Sequence, residues 1–359
     1  MGGLWRRAMG DQRCVAKYQV FSDMRWPEKT GIGNVMTAMV DGCPSHAEVV
    51  DLDVQGRIGS PLSPLAVSRS LRGKALDGGV FWSAGFVPPL WSPVPSVVTV
   101  HDLTHLHFYS RAHALYYRHF FLPLYRRCEA VVCVSDYTRR EFIEWSGMPA
   151  SRVHVVLNGV SPQFSANTET LGLPYRYVLY PGNHRSYKNL YRLVCAYARS
   201  GLRDMDVHLV MTGTENVELM NLARTEGVEA YVHFAGRLAD ADLPRIYRGA
   251  EAIAFVSLYE GFGLPIVEAM ASGVPVLTSN VSAMPEVAGD AALIVDPYSV
   301  DDIARALRQL MVEPGLRAEL AGRGREQVRR FDWTASADAL WSIVDDVVSA
   351  DGRCLQGAV

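Results

Sequence analysis

Residues Val256–Glu268 read V-S-L-Y-E-G-F-G-L-P-I-V-E and combine three features that are typical of a parallel α/β fold. The apolar run Ala252–Val256 predicts a buried strand, and a short loop with two glycines follows it. Pro265 favours the start of a helix, because proline at the first helical position removes no hydrogen bond that the helix needs. Gly273 favours the end of that helix. The stretch therefore predicts a strand, a glycine loop and a helix in direct succession.

The predicted loop and helix start together form a site for an anion. Free backbone N–H groups and the positive end of the helix dipole point at whatever lies there. Glu260 precedes the glycines, and Glu268 lies early in the helix, where side chains lean back toward the N-terminus. Carboxylates repel phosphate, so we expect them to bind hydroxyl groups beside it. A nucleotide sugar fits this description, and an ordinary strand-to-helix turn with two solvated glutamates is the alternative.

The spacing of Glu260 and Glu268, with E-G-F-G-L-P inside it, resembles the signature of the family 4 retaining glycosyltransferases. The sequences A-M-A-S-G-V-P-V at 269–276 and P-E-V-A-G at 285–289 continue this pattern. The resemblance covers most of the chain. The sequence is similar in style to bacterial enzymes that build surface polysaccharides, which are often mannosyltransferases. It implies the GT-B fold, an α/β architecture in which two Rossmann-like domains with parallel sheets face each other across a cleft.

The length of 359 residues suits two domains. We expect residues 1–168 to form an N-terminal Rossmann-like acceptor domain and residues 169–332 to form a C-terminal Rossmann-like nucleotide-sugar domain. The resemblance implies that a C-terminal helix in residues 333–359 crosses back to the first domain.

Composition argues against several classes of function. The net charge of −3 gives no case for nucleic-acid binding. The six cysteines form no C-x-x-C pair and the ten histidines show no ligand spacing, so we expect no metal site. This cysteine usage suits a reducing cytosol. Met1–Gly10 has no long apolar run behind its arginines, so we expect no signal peptide.

Two features leave peripheral membrane contact open. Residues 1–170 carry 17 basic and 14 acidic side chains, against 18 and 24 in residues 171–359, which is a weak bias toward an anionic lipid surface. His113–Arg127 predicts a basic, aromatic helix, for which a core helix with a solvated arginine face is the favoured interpretation. We expect a cytoplasmic protein, at the inner face of the membrane if this contact forms.

Two turns of the first half carry candidate residues. Gly31 and Gly33 open a helix, but Met36 stands where a dinucleotide fingerprint has its third glycine. The resemblance implies that this loop lines the cleft beneath the donor phosphates, and a tight turn is the alternative. His101 follows the predicted strand Val97–Val100. The resemblance implies that His101 contacts the donor sugar, and a structural histidine is the alternative.

A third turn, Pro181–Asn189, carries Gly182 and two candidate cations for a diphosphate, Arg185 and Lys188. The resemblance implies that Lys188 binds the donor diphosphate, and a solvated helix start with ordinary charges is the alternative. The family often has an arginine directly after the glycine, where this chain has Asn183. Whether Arg185 replaces that arginine stays open.

The resemblance also implies how the donor is divided among the residues. Glu268 binds the ribose hydroxyls, and Arg237, after a strand predicted at Tyr231–Ala235, lies beside the nucleotide base unless it is an ordinary surface arginine. The candidate catalytic residues are Glu260, Lys188, Arg185 and His101. The candidate donor-binding residues are Glu268, Gly261, Phe262, Gly263, Leu264, Gly182, Arg237, Gly31 and Gly33.

These residues predict the retaining transfer of a hexose from a nucleoside-diphosphate sugar to a saccharide or lipid-linked saccharide. The resemblance favours mannose from GDP-mannose. We expect no metal or other cofactor, because the helix dipole, Lys188 and Arg185 would neutralise the leaving diphosphate. Two alternatives stay open: a nucleotide-sugar epimerase or hydrolase of the same fold, and a catalytically idle binding subunit, which Asn183 favours.

Overall fold

The computed structural model describes residues 17–27, 30–74 and 79–351. Met1–Gly10, for which the sequence predicts no signal peptide, lies outside the described residues, as do residues 352–359. Two parallel sheets of six strands each organise the described chain.

The first sheet has the strand order β2-β1-β3-β4-β5-β6. Its strands are β1 (Tyr18–Ser22), β2 (Ala47–Asp51), β3 (Gly79–Ser83), β4 (Ser96–Val100), β5 (Ala130–Cys133) and β6 (Val153–Val155). Every residue of β3, β4 and β5 is buried, as expected for parallel strands that are covered on both faces.

The second sheet has the order β12-β11-β10-β7-β8-β9. Its strands are β7 (Arg176–Tyr180), β8 (Val207–Met211), β9 (Val232–Phe234), β10 (Ala252–Phe255), β11 (Val276–Ser279) and β12 (Ala292–Val295). β9 is shorter than the strand predicted from the sequence, because Tyr231 belongs to a 3₁₀ turn, Glu229–Tyr231, at this edge of the sheet.

Helices cover both sheets. Those before β7 are α1 (Gly31–Asp41), α2 (Ser63–Ser70), α3 (Thr104–His107), α4 (Arg111–Tyr116), α5 (Leu122–Tyr125), α6 (Asp136–Ser146) and α7 (Pro162–Ala166). Those after β7 are α8 (Leu190–Ser200), α9 (Val217–Thr225), α10 (Asp242–Arg248), α11 (Leu264–Ala271), α12 (Met284–Ala288), α13 (Val300–Val312), α14 (Pro314–Gln327) and α15 (Trp333–Ala350). The basic, aromatic helix predicted at His113–Arg127 consists of α4, a π-helical segment and α5.

Each sheet has one point at which the strand order reverses. In the second sheet it lies between β7 and β10, which are hydrogen-bonded neighbours although two strands separate them along the chain. In the first sheet it lies between β1 and β3. Open α/β sheets bind ligands beyond the carboxyl ends of their strands at such a point. The turns that follow β7 and β10 are therefore the place to look for a site.

The last helix packs on the first sheet. The Trp341 indole of α15 donates a hydrogen bond of 3.0 Å to the carbonyl oxygen of Met39 in α1, and its ring meets that of Trp82 in β3 edge-on at 5.8 Å. The short helix α7, by contrast, packs against α10 and α11 through contacts such as Phe164 with Tyr247. The chain thus passes between the two halves twice.

Within residues 17–27, 30–74 and 79–351, no helix is both long enough and apolar enough to cross a membrane.

Candidate functional site

The turn after β7 is tied to the loop after β10. Gly182 has a φ of +142°, and a Cβ atom there would lie 2.9 Å from the Tyr180 hydroxyl oxygen. The turn ends at Asn189, which has a φ of +65° and precedes α8. The Asn189 amide donates to the carbonyl oxygens of Val256, at 2.9 Å, and Pro297, at 2.7 Å. These bonds fix the backbone directly after Lys188.

Lys188 and Glu260 form a buried ion pair at the switch point of the second sheet. The Lys188 ammonium lies 2.6 Å from the Glu260 carboxylate, and the two side chains are only 11% and 13% exposed. The ammonium also lies 5.1 Å and 5.3 Å from the ring centroids of Tyr187 and Phe255. The Glu260 backbone N–H donates to the Ser282 hydroxyl at 3.0 Å. Both charges therefore have a fixed position.

The loop Gly261–Gly263 presents a row of backbone donors. The N–H groups of Gly261, Phe262 and Gly263 donate to no acceptor among the described residues, although all three residues are buried. Buried backbone N–H groups normally have a partner, so this row indicates a ligand. The Phe262 side chain packs edge-on against Phe331 at 5.6 Å and is 4% exposed, so Phe262 can offer a ligand only its backbone. Leu264 begins α11, whose N-terminus adds its positive end.

Gly261 also lies in close contact with the first half of the chain. A Cβ atom at this position would lie 1.8 Å from the His101 carbonyl oxygen, so no larger residue fits. The hydroxyls of Ser135 and Thr138 donate to the Gly261 carbonyl oxygen at 2.6 Å and 3.0 Å. The glycine loop of the second domain therefore lies directly against the turns after β4 and β5.

His101 is held as a neutral imidazole. Its Nε2 lies 2.6 Å from the Ala84 carbonyl oxygen, which can only accept, so Nε2 carries the proton. Burial lowers the pKa of His101, although the Ala84 bond and the Asp102 charge oppose this shift. Nδ1 is then an acceptor for a hydroxyl group. Asp102 itself accepts from the Thr104 N–H at 2.9 Å, directly before α3.

Glu268 lies in a separate part of the cleft and has a tyrosine partner. The Tyr247 hydroxyl donates to its carboxylate at 2.6 Å. Burial raises the pKa of Glu268 to about 7, against the smaller, opposite effect of the Tyr247 bond. Glu268 lines a cleft of about 570 Å³ between the two halves. Other lining residues are Asn34 and Thr37 of α1, Phe164 of α7, and Asp240, Leu264 and Trp333.

The two glycines of the first turn have different surroundings. A Cβ atom on Gly31 would lie 4.0 Å from the Leu264 side chain, so this residue faces the start of α11. A Cβ atom on Gly33 would lie 2.1 Å from the Pro27 carbonyl oxygen, so glycine is required by the turn itself. The Thr30 hydroxyl accepts from the Gly33 N–H and caps α1.

The two candidate arginines are exposed. Arg185 reaches toward the first half, with its guanidinium 3.4 Å from the Tyr109 hydroxyl oxygen. Asn183, at the position of the family arginine, accepts from the Arg185 N–H through its side-chain oxygen at 3.2 Å. Arg237 lies on the turn after β9, next to Gly236 with a φ of +70°. The structure thus brings together Lys188, Glu260, the glycine loop and the His101 turn, and leaves both arginines at the rim.

Among the described residues, no three His, Cys, Asp or Glu side chains are close enough together to hold a metal ion.

Two family models match consecutive parts of the chain. The model "Glycosyltransferase Family 4" matches residues 77–164, and the model "Glycosyl transferases group 1" matches residues 165–327. The chain belongs to the GT4-type glycosyltransferases. The resemblance inferred from the Glu260–Glu268 motif is confirmed. The boundary between the two matches falls within α7, in the connection between the two sheets.

Curated relatives include bacterial mannosyltransferases. The chain is 34% identical over 216 residues to O-antigen chain mannosyltransferase B of Escherichia coli, and this match covers 56% of this chain and 57% of the relative. It is 29% identical over 234 residues to MMP alpha-(1->4)-mannosyltransferase of Mycolicibacterium hassiacum, which covers 64% of this chain and 57% of that protein. The chain thus spans little more than half the length of these relatives.

Solved structures share the whole architecture. WaaG, a glycosyltransferase involved in lipopolysaccharide biosynthesis, superposes with a TM-score of 0.70 at 17% identity, over 91% of this chain and 99% of WaaG. Anabaena Alr3699/HepE in complex with UDP and glucose superposes with a TM-score of 0.71 at 18% identity, over 92% and 100%. At this identity the likeness concerns the fold alone, and the α/β GT-B fold predicted from the resemblance is confirmed.

Sequence reasoning missed the residues that hold the site from a distance. The Tyr259 hydroxyl donates to Glu141 at 2.5 Å and accepts from the Leu103 N–H at 3.0 Å. Glu286 accepts from the N–H groups of Asp136 and Tyr137 across the interface at 2.8 Å and 2.9 Å. The pairing of Tyr247 with Glu268 was also missed. No local pattern marks these pairs, because their members are far apart in the chain.

Proposed function

We propose that the chain is a retaining hexosyltransferase that moves mannose from GDP-mannose to a saccharide or lipid-linked saccharide in surface-polysaccharide synthesis. One observation carries this proposal: the buried pair of Lys188 and Glu260 lies beside three buried N–H groups without an acceptor, at the switch point between β7 and β10. This combination offers a cation and backbone donors to a diphosphate and a carboxylate to a hydroxyl.

The donor spans the site from the ion pair to the Glu268 cleft. The diphosphate lies at the N-terminus of α11, where the N–H groups of the glycine loop and the Lys188 ammonium bind it. Glu268 accepts from the ribose hydroxyls, since it lies four residues into α11 and lines the cleft. The sugar lies toward Glu260 and the neutral His101. The base lies toward the turn that carries Arg237.

The protein lowers the barrier chiefly by stabilising the leaving diphosphate. As the bond from the anomeric carbon to the phosphate oxygen breaks, negative charge grows on the diphosphate, and Lys188 and the dipole of α11 are already aimed at it. Glu260 is bound to Lys188 at 2.6 Å, so we assign no covalent nucleophile. The acceptor hydroxyl attacks on the face that the diphosphate leaves, and its proton passes to the departing phosphate oxygen. The anomeric configuration is thereby retained.

The choice of mannose rests on the relatives. O-antigen chain mannosyltransferase B and the MMP mannosyltransferase are named for this sugar. A saccharide or lipid-linked saccharide as the acceptor is part of the same proposal. We place the reaction in the cytoplasm, at the inner membrane face when the acceptor is lipid-linked. The weak excess of basic residues in 1–170 favours contact with anionic lipid.

Turnover with a panel of donors tests this function. Purified protein receives GDP-mannose, UDP-glucose, dTDP-glucose or ADP-glucose with mannose oligosaccharides and a metal chelator. We expect GDP release and an α-linked product from GDP-mannose, with the anomeric configuration read by NMR. Free mannose alone indicates a hydrolase, an altered nucleotide sugar indicates an epimerase, and no change in any donor indicates an idle subunit. Each of these three outcomes overturns the proposal.

A matched pair of variants connects turnover to the site. Lys188→Met removes the cation of the ion pair, and Lys74→Met removes a lysine that lies over the Phe21 ring at 5.6 Å in the first domain. We expect a loss of turnover only in the first variant. Equal activity of the two variants would contradict the assignment of Lys188.

A further inference from the structure

Two hydroxyl groups of the first domain converge on one backbone carbonyl of the second. Ser135 lies directly before α6, and Thr138 lies in its first turn. Both are fully buried, and their oxygens lie 2.6 Å and 3.0 Å from the Gly261 carbonyl oxygen. Ser135 also accepts from the Thr138 N–H at 3.1 Å. The Thr138 oxygen, at 3.0 Å, is a second acceptor for the Ser135 proton, but the Gly261 oxygen is closer and has two lone pairs, so both hydroxyls can donate to it at once.

This contact fixes the direction of the next N–H group. The Gly261 carbonyl and the Phe262 N–H belong to one planar trans peptide, in which the two groups point in opposite directions. Holding the carbonyl against α6 therefore turns the Phe262 N–H away from α6. That N–H is one of the three buried donors that have no acceptor among the described residues.

A simple packing role does not explain the contact fully. Ser135 already caps the start of α6 by accepting from the Thr138 N–H, so the helix does not need the bond to Gly261. The contact also joins the two domains at Gly261, where a Cβ atom would lie 1.8 Å from the His101 carbonyl oxygen. The glycine loop is thus aligned by the first domain, and only when the two domains are in contact.

We propose that Ser135 and Thr138 are positioning residues, whose hydroxyls orient the Gly261–Phe262 peptide so that its N–H binds the donor when the domains close. The inference rests on the proposed function and adds to it a coupling between domain closure and donor activation. Binding of the nucleotide draws mainly on Lys188, Glu268 and the rest of the second domain, so it does not depend strongly on this alignment. Departure of the diphosphate does.

Variants of Thr138 separate positioning from folding. Thr138→Val keeps the shape and removes one donor, while Ser135 still donates to the carbonyl. Thr138→Ser keeps the hydroxyl. The control is Ser146→Ala at the other end of α6, because the buried Ser146 hydroxyl accepts from the Met148 N–H at 3.1 Å, within the first domain.

The assay follows GDP release from GDP-mannose, with and without methyl α-D-mannopyranoside, together with GDP affinity by calorimetry. We expect Thr138→Val to lower kcat about fivefold, which corresponds to one neutral hydrogen bond, with a smaller change in the Kd for GDP, because the charge on the diphosphate grows as it leaves. Thr138→Ser restores kcat. Ser146→Ala lowers the melting temperature and leaves kcat unchanged.

Two results overturn the inference while the proposed function stands. One is a wild-type protein that turns over GDP-mannose with the same kcat as Thr138→Val. The other is a loss of kcat in Thr138→Val that Thr138→Ser does not restore. A wild-type protein that releases no GDP overturns the proposed function itself, so the two failures are distinguishable.

Discussion

Replacing Glu268 by glutamine is expected to stabilise the fold at high pH while it weakens donor binding. Burial raises the pKa of Glu268 from an ordinary value of 4.5 to about 7. Below pH 4.5 the carboxyl group is protonated in both the folded and the unfolded chain and contributes no pH dependence. Between pH 4.5 and 7 the folded state binds more protons, so the free energy of unfolding falls as the pH rises. Above pH 7 the folded protein carries the full cost of a buried charge.

The structure sets the size of this effect. At 1.36 kcal/mol for each pH unit, the difference between the two pKa values corresponds to about 3.4 kcal/mol. Glu268 also lines the cleft and keeps part of its surface in water, so we expect ~1–3 kcal/mol. Glutamine has the same shape and keeps the bond from the Tyr247 hydroxyl, but it carries no charge. The variant should therefore gain this amount relative to the wild type between pH 5 and pH 8.

The assay is urea denaturation of both proteins at pH 5, 6, 7 and 8. The control is Glu218→Gln, because Glu218 also accepts from a tyrosine hydroxyl, that of Tyr191 at 2.5 Å, but on the exposed surface. The difference in unfolding free energy between Glu268→Gln and the wild type should rise with pH. For Glu218→Gln it should stay constant. A constant difference for Glu268→Gln would refute the assignment of a buried, raised-pKa carboxyl group.

Three further substitutions test other contacts of the site. Lys188→Met should lower the free energy of unfolding by ~3–5 kcal/mol, because it leaves Glu260 buried without its cation. The double variant Lys188→Met with Glu260→Gln should recover most of this loss, as measured by thermal unfolding. Gly261→Ala should lower kcat by about 100-fold and increase the radius of gyration in X-ray scattering, because its Cβ clashes with a first-domain carbonyl. Tyr259→Phe should cost ~1–3 kcal/mol in urea denaturation, because the buried Leu103 N–H loses its acceptor.

Matched controls define the contrary results. Each control variant should have a small effect. Gly315→Ala adds a Cβ atom in open space, and Tyr116→Phe loses a bond to the Pro61 carbonyl oxygen at 2.8 Å near the surface. The control for Lys188→Met is again Lys74→Met. Additive losses of stability in Lys188→Met and Glu260→Gln would contradict the ion pair. An unchanged scattering profile for Gly261→Ala would contradict the close contact with the His101 carbonyl. Equal stability of Tyr259→Phe and Tyr116→Phe would contradict the role of the Tyr259 hydroxyl.

Local signals predicted the elements that carry the site. The strand, loop and helix expected around Val256–Glu268 are present as β10 and α11, with the helix starting at Leu264. The helix expected after Thr30 begins at Gly31, with the Thr30 side chain as its cap. These features follow from neighbouring residues: glycine where φ is positive or space is absent, proline in the first helical turn, and a hydroxyl at the cap.

Contacts between distant segments could not be predicted in this way. Glu268 was expected to approach the donor, but its raised pKa depends on burial, which only the packed domain supplies. The hydroxyls of Ser135 and Thr138 read as an ordinary helix cap until the second domain brings the Gly261 carbonyl to them. The sequence motif marks which backbone binds a ligand, whereas the fold determines what holds that backbone in place.

Calorimetric titration of the protein with GDP, UDP, dTDP and ADP, in the presence of a metal chelator, tests the central claim most directly. The claim is that Lys188, the glycine loop and Glu268 bind a nucleoside diphosphate without a metal ion. We predict binding of GDP at one site per chain, weakened roughly 10-fold or more by Lys188→Met because a charge-assisted hydrogen bond is lost. Absence of binding by all four nucleotides, or GDP binding that Lys188→Met leaves unchanged, would contradict the claim.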